Sequence, residues 1–594
     1  MKPLFYLNKY FIRYKWRFLL GILFIVATNW FNAEMPVIVG DSIDDIKQTL
    51  DSRGEAGTDN NQLVNTILRL GLIAAGLYLL YSLIKGFFLF LTRQTIIVMS
   101  RYIEYDLKNE IYEHYQRLDQ KFYKKNSTGD LMNRISEDVS KVRMYLGPGV
   151  MYTINLVILF IMVIVAMLQV NVELTLYSLA PLPVMSLMIY FVSRSINRRS
   201  ERVQHQQSGV TSFVQEAFSG IRVLKAYGRE QEFARHFHEE SEQYKNRNLE
   251  LVKINALFLP TITTLIGLST IITIWIGGIK ALNGEISVGD IASFVIFINM
   301  LTWPFASVGW VTSLIQQAAA SQERINEFLK ASPEILSGHE KMPEHGEIAF
   351  SHVTFDYPGT GIRALDDVSF TIPEGKTVAV IGKTGSGKST IANLLCRLYD
   401  PTSGSITVGN RDLRSLDLDA LRESIGYVPQ EVFLFSDTIQ NNIAFGLPDG
   451  GTLEEIQQAA RDADVYDNII AFENQFETLL GERGINLSGG QKQRISIARA
   501  IIRKPSTLVF DDCLSAVDTE TEEKILNNLR RIMANRTTLL ISHRVSAVKH
   551  ADLILVLDHG KIIERGTHEA LLAANGSYAE LHRKQLLESE KMSV

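Results

Sequence analysis

Thr377-Val378-Ala379-Val380-Ile381 runs directly into Gly382-Lys383-Thr384-Gly385-Ser386-Gly387-Lys388-Ser389-Thr390, and Ile391-Ala392-Asn393-Leu394-Leu395 follows. The first stretch has the composition of a short strand buried on both faces, and the last continues as an apolar helix. Between them stands G-x-x-x-x-G-K-S in the strand–loop–helix context that this motif requires. Its glycines let the backbone wrap around phosphates. Consecutive N–H groups and the helix N-terminus present positive potential to them. On this reading Lys388 supplies a cation to the β- and γ-phosphates, and the Ser389 hydroxyl is placed to ligate Mg2+.

The chain around this motif has 594 residues, too many for one core, so at least two domains are expected. A formal net charge of −5 and the lack of any long basic tract give no sign of nucleic-acid binding. Overall, 46% hydrophobic residues is near the soluble average, but the apolar runs crowd into residues 1–315. The two cysteines, Cys396 and Cys513, lack metal-ligand spacing and read as reduced, small buried hydrophobes of a cytosolic domain.

Six segments are long and apolar enough to cross a hydrocarbon layer of ~30 Å. They fall at about 18–39, 69–92, 147–169, 172–194, 257–281 and 289–315. The first is longer than a signal-peptide core and has no small-residue cleavage site after it, so a retained membrane helix is expected. Lys2, Lys9, Arg13, Lys15 and Arg17 precede it, whereas Asp41, Asp44, Asp45, Asp51, Glu55 and Asp59 follow. The positive-inside rule places the N-terminus in the cytoplasm, and six crossings return the chain there with its nucleotide-binding domain. The predicted domains are a transmembrane domain over 1–321, a linker over 322–345, a nucleotide-binding domain over 346–585 and a tail over 586–594.

The connections 93–146 and 195–256 are long, polar and helical in pattern. At about 1.5 Å per residue, a hairpin of two such arms would project roughly 35–40 Å. Their turns, Asn126-Ser127-Thr128-Gly129-Asp130-Leu131 and Phe218-Ser219-Gly220-Ile221, carry helix-boundary residues and could each hold a short helix. Within the spans, Glu34 and Lys85 are expected to face a cavity or a partner helix, because charge in hydrocarbon is costly. Helix packing is the expected use of Tyr78, Tyr81, Phe87, Phe88, Phe90 and Trp303.

Further along stands Leu487-Ser488-Gly489-Gly490-Gln491, followed by Lys492-Gln493-Arg494-Ile495-Ser496-Ile497-Ala498-Arg499. This resembles the signature sequence of ATP-binding-cassette (ABC) proteins, and the resemblance covers essentially the entire chain. Six spans, two long arms and a cassette in that order look like an ABC exporter half-transporter. The implied fold is an all-α six-helix transmembrane domain followed by an α/β P-loop cassette. The implied cofactors are ATP and Mg2+. By the same resemblance, Tyr357 matches the aromatic that stacks on adenine. Gln430 in Gly426-Tyr427-Val428-Pro429-Gln430 matches the glutamine loop that reaches Mg2+. Glu482 matches an exporter-specific loop. Asp511, closing Leu508-Val509-Phe510-Asp511, matches the Walker B aspartate that supports Mg2+. Ser515-Ala516-Val517-Asp518 matches the D-loop, and His543 the switch histidine. Two such chains pair head to tail in this family, so that each ATP lies between one P-loop and the partner's signature, here Ser488, Gly489, Gly490 and Gln491.

One position departs from the family pattern. The catalytic base is a glutamate after the Walker B aspartate, and here that position is Asp512. Its carboxylate is one methylene shorter, which withdraws the oxygens by about 1.5 Å. A general base needs about 2.6–3.2 Å to the attacking water. Two readings stay open. The favoured one resembles heterodimeric multidrug exporters: this P-loop site is degenerate, and a different half-transporter supplies a glutamate opposite this chain's signature. The other is a homodimer in which Asp512 works through backbone adjustment or an extra water. An ATP-gated channel would also tolerate a degenerate site. Drug-like or lipid-like substrates, hydrophobic or amphipathic, suit a cavity built from such helices, and the expected location is the cell membrane.

Overall fold

The computed structural model describes residues 2–51, 60–448, 450–481, 484–513 and 519–592. Glu55, Asp59, Glu482 and Ser515 to Asp518, singled out above, lie outside the described residues. The chain forms two compact units: residues 1–116 with 128–331, and residues 117–127 with 332–594.

Among the described residues the first unit consists of helices and short turns, with six helices long and apolar enough to span a membrane: Lys15–Asp51, Asn61–Arg117, Thr128–Val170, Val172–Ser219, Glu230–Leu282 and Val288–Leu329. Each contains one of the apolar segments, and most extend well beyond it as polar helix. The second is apolar on the outside, with Leu72, Leu79 and Leu83 exposed, as a lipid-facing surface requires. The sixth continues past residue 322, where the linker was expected to begin, because Gln322, Arg324 and Asn326 find polar partners. Arg324 binds both oxygens of the buried Asp138, and Asn326 Nδ2 donates to Pro3 O at 3.0 Å.

Several polar side chains buried in the bundle are paired across helices. Asn29 Nδ2 donates to Asn155 Oδ1 at 2.9 Å, and the Ser178 and Thr273 hydroxyls meet at 2.7 Å. Tyr81 and Phe88 pack against Phe31. Tyr78, Phe87, Phe90 and Trp303 are instead exposed. Composition marked them as packing residues, but periodicity does not say which face of a membrane helix meets lipid.

The first and sixth helices approach closely at Gly40 and Gly289. Ser293 Oγ donates to Pro36 O at 2.7 Å, and the Gly289 N–H to Asp44 Oδ1 at 2.8 Å. A Cβ at Gly289 would lie 2.0 Å from Gly40 O.

The second unit is built on a six-stranded sheet of order β10-β9-β3-β8-β7-β6. Its strands are β3 (Thr377–Gly382), β6 (Ile425–Val428), β7 (Thr507–Asp511), β8 (Thr537–Ser542), β9 (Leu553–Asp558) and the antiparallel edge β10 (Lys561–Gly566). The other five are parallel. Alternate residues serve opposite faces. Ala379, Ile381, Leu508 and Phe510 enter one apolar cluster, while Val378, Val380, Val509 and Leu539 enter another. A four-stranded antiparallel sheet, β2-β1-β4-β5, adds β1 (Ile348–Asp356), β2 (Arg363–Ile372), β4 (Ser403–Val408) and β5 (Arg411–Asp412). Cys396 and Cys513 are buried, and burial pushes the Cys396 thiol up to about 12, so it stays protonated.

The close crossing gives a direct check. Gly289→Val should lower the thermal midpoint of the detergent-solubilised chain, by an amount equivalent to about 1–3 kcal/mol of overpacking. Gly71→Ala, where a new Cβ meets nothing within 4 Å, should leave the midpoint nearly unchanged.

Candidate nucleotide site

The carboxyl ends of β3, β7 and β8 come out side by side. Ile381 pairs with Ser542, and Asp511 pairs with Ile541. This register brings the loop after β3, the Asp511-Asp512 pair and His543 to one edge of the sheet, where open parallel sheets hold ligands. A cavity of ≈ 450 Å³ lies there. Tyr357, Thr384, Gly385, Gly387, Lys388, Ser389 and Thr390 line it, with Gln430, Asp511, Asp512 and His543 opposite. Ser488 to Gln491 are not in that lining. Ser488 instead caps the helix Gly489–Ile501, in a reciprocal box with Gln491.

The loop has the geometry of a cradle. Gly385 and Gly387 have φ of +81° and +102°, which a side chain would strain, and a Cβ on Gly387 would lie 2.2 Å from Ala364 O. Lys388 Nζ donates to Gly382 O and Lys383 O, at 2.8 Å each, folded across the loop. Burial lowers the Lys388 pKa, with the Asp512 and Asp511 carboxylates opposing. The Ser386 hydroxyl is buried without a hydrogen-bond partner among the described residues. An orphaned donor, a cation and a ring of backbone N–H groups suit a polyphosphate.

Ser389 Oγ donates to Asp511 Oδ1 at 2.9 Å. Burial raises the Asp511 pKa to about 6, with Ser389 opposing and Asp512 adding to the rise. These two oxygens, with the Gln430 amide nearby, could hold a hard cation beside the phosphates.

Asp512 is fully engaged. Its Oδ1 lies 2.7 Å from His543 Nδ1, and Gln430 Nε2 donates to Oδ2 at 3.4 Å. Its backbone is left-handed, φ +48°, and its N–H donates to Ile541 O at 2.9 Å.

The Tyr357 hydroxyl meets Thr390 Oγ1 at 3.1 Å, and its ring stands edge-on to Tyr399. Lys124 Nζ sits 4.8 Å from the Tyr357 ring centroid and 5.4 Å from that of Tyr399. Lys124 belongs to the short helix Gln120–Lys125, beside the turn read from sequence as an arm tip. No sequence signal pointed to it, because its neighbour lies more than two hundred positions away.

The architecture and the site define a membrane-embedded ATPase, and comparison with known proteins agrees. Residues 18–305 match the family described as the ABC transporter transmembrane region, and residues 365–515 match ABC transporter. The chain is 35% identical over 584 residues to the probable multidrug resistance ABC transporter ATP-binding/permease protein YheI of Bacillus subtilis, covering 98% of this chain and 97% of that one. It is 34% identical to the multidrug resistance-like ATP-binding protein MdlA of Escherichia coli, over 98% and 96% of the two chains. An ATP-dependent lipid A-core flippase of Aromatoleum aromaticum is 36% identical, over 82% and 80%. A bacterial Atm1-family ABC exporter solved with ATP bound superimposes with a TM-score of 0.77 at 25% identity, over 96% and 98% of the chains. This chain belongs to the ABC transporter family. It is an ABC exporter, a multi-pass membrane protein whose cassette binds ATP to drive transport.

Gly387→Ala should weaken ATP binding by about tenfold or more, since the strained φ and the contact with Ala364 both oppose it. Equilibrium binding of a fluorescent ATP analogue to the purified full chain measures this. Gly359→Ala, in a turn outside the loop, is the matching control: its φ is +76° and nothing lies within 4 Å.

Proposed function

We propose that this chain is the weaker-hydrolysing half of a heterodimeric ABC exporter for drug-like or lipid-like amphiphiles. Asp512 carries the reading. It stands where a longer base would be expected, and its two oxygens already face His543 and Gln430. A base needs an oxygen within about 2.6–3.2 Å of the attacking water. A shortened carboxylate held by two partners is poorly placed to supply one. Mg2+ at Ser389 and Asp511, with Gln430 reaching towards it, would then bind ATP in a slow, structural site. The partner chain would bring a glutamate next to its own Walker B aspartate and use Ser488, Gly489 and Gly490 of this chain.

ABC exporters act as dimers, and the names of the relatives supply the substrate class: multidrug resistance for two, lipid A-core for the third. The basic flank of the first span supports an N-terminus and cassette on the cytoplasmic side of the cell membrane. ATP-driven closure of the two cassettes would turn the cavity outward, and hydrolysis would reset it.

The test is to purify the chain alone and with a second half-transporter that carries Asp-Glu at its Walker B strand. ATP turnover should be slow alone and fast in the pair. Asp512→Glu should raise turnover of the isolated chain by about tenfold or more, within the general-base range. Robust hydrolysis by the isolated chain, abolished by Asp512→Asn, would overturn the heterodimer in favour of a homodimer.

A further inference from the structure

A half-open cavity of ≈ 780 Å³ lies among the fourth, fifth and sixth spanning helices. Tyr190 and Arg194 line it from the fourth, Asn255 and Phe258 from the fifth, Trp310 and Gln316 from the sixth. Arg194 is the one formal charge in this lining among the described residues, and no carboxylate accompanies it. Glu34 and Lys85, the charges that sequence placed inside spans, do not line it.

Basic residues continue along the same helix. Arg198 and Arg202 follow Arg194 at intervals of four, which puts all three on one face. A second cavity of ≈ 320 Å³ is lined by Arg199, Arg202 and Arg247 with a single carboxylate, Glu250. Arg199 takes that carboxylate at 3.1 Å. Arginines therefore outnumber carboxylates in both linings.

A guanidinium at the end of a span could be a simple anchor to lipid headgroups. Arg194 is exposed, but it lines a half-open cavity and stands beside Trp310, Phe258 and Tyr190 there. No carboxylate in the lining competes for its guanidinium, which leaves its fork of donors available to a bidentate anion. The aromatic walls offer surface to an apolar body. A cationic amphiphile would gain cation–π contact from the aromatic walls but face repulsion from Arg194.

We infer that the substrate is an anionic amphiphile, with its carboxylate, sulfonate or phosphate head on Arg194 and its apolar body against Tyr190, Phe258 and Trp310. This rests on the export reading above and narrows its substrate class. Arg198 and Arg202 add positive charge on the same helix face, which favours anions over cations near it.

The test uses the full-length chain in its ATP-hydrolysing dimer, in phosphatidylcholine nanodiscs. Three probes share one body: pyrenebutanoate, pyrenebutanol and pyrenebutyl-trimethylammonium. Fluorescence anisotropy should show the anion binding about tenfold or more tighter than the other two, as a charge-assisted pair implies. Arg194→Gln should erase that preference and Arg194→Lys should keep part of it, while Trp310→Ala should weaken all three probes alike. The Lys variant keeps the test decisive if the Gln variant fails to assemble. Adding phosphatidylglycerol distinguishes sources. Competition by it assigns the head to a lipid, and none assigns a soluble amphiphile; both fit the inference. Equal binding of the three heads, or an unchanged preference in Arg194→Gln, overturns it. Transport is read separately in proteoliposomes. Export of the neutral or cationic probe alone leaves the export reading standing and sinks the anion assignment. Steady ATP hydrolysis with no movement of any amphiphile sinks the export reading itself.

Discussion

The parallel register of β3 between β8 and β9 is the constraint on which the nucleotide site depends. Ile381 faces Ser542 on one side and Val556 on the other, and Asp511 ends β7 level with Ile541. Residues distant in sequence thereby leave the sheet at one edge. Gly382 is needed where β3 exits, since a Cβ there would lie 2.2 Å from Leu557 O. Were β3 to slip by one residue, Val378 and Val380 would exchange clusters with Ala379 and Ile381. Burial on both faces makes that slip costly.

This explains what could be read in the sequence. Each cassette motif is a local statement: a strand, a turn that needs glycine, a helix start. Tyr357, Lys388, Asp511 and His543 were legible because each sits in a short motif and the joint spacing of those motifs matches one family, and the sheet then draws them into one cavity. Lys124 had no such local signature, and only the long-range packing of the helix Gln120–Lys125 sets it over Tyr357. Arg194 was counted as the end of an apolar run. The chain pattern measures how long a membrane helix is, but not which face meets lipid and which a cavity. Exposed Phe87 and packed Phe88 are adjacent in sequence and identical in composition.

The two units solve opposite solvation problems. In the cassette, apolar strands are covered on both faces, and charge collects at one edge where water and ligand can reach it. In the helical unit the apolar surface is outside, so hydrophobic burial cannot choose which helices meet. Small residues and buried hydrogen bonds do so instead: Gly40 against Gly289, Ser293 on Pro36, Asn29 on Asn155. Arg194, exposed in the lining of a half-open cavity, has no such partner among the described residues, which separates it from Arg324, bound to Asp138.

The position of Asp512 brings these arguments to bear on chemistry. A shorter acid could serve as a base if the backbone moved forward by the missing bond length. Several contacts weigh against that movement. Asp511, one residue before, is fixed in β7 between β6 and β8. The Asp512 N–H is held by Ile541 O, and its left-handed φ leaves little freedom to extend. His543, which follows β8 directly, takes one carboxylate oxygen. Advancing Asp512 would therefore mean shifting β7 against β8, the register that assembles the whole site. A side chain longer by one methylene needs no such shift. These contacts support the proposal that a glutamate in a second chain, rather than rearrangement of this one, supplies full hydrolytic competence.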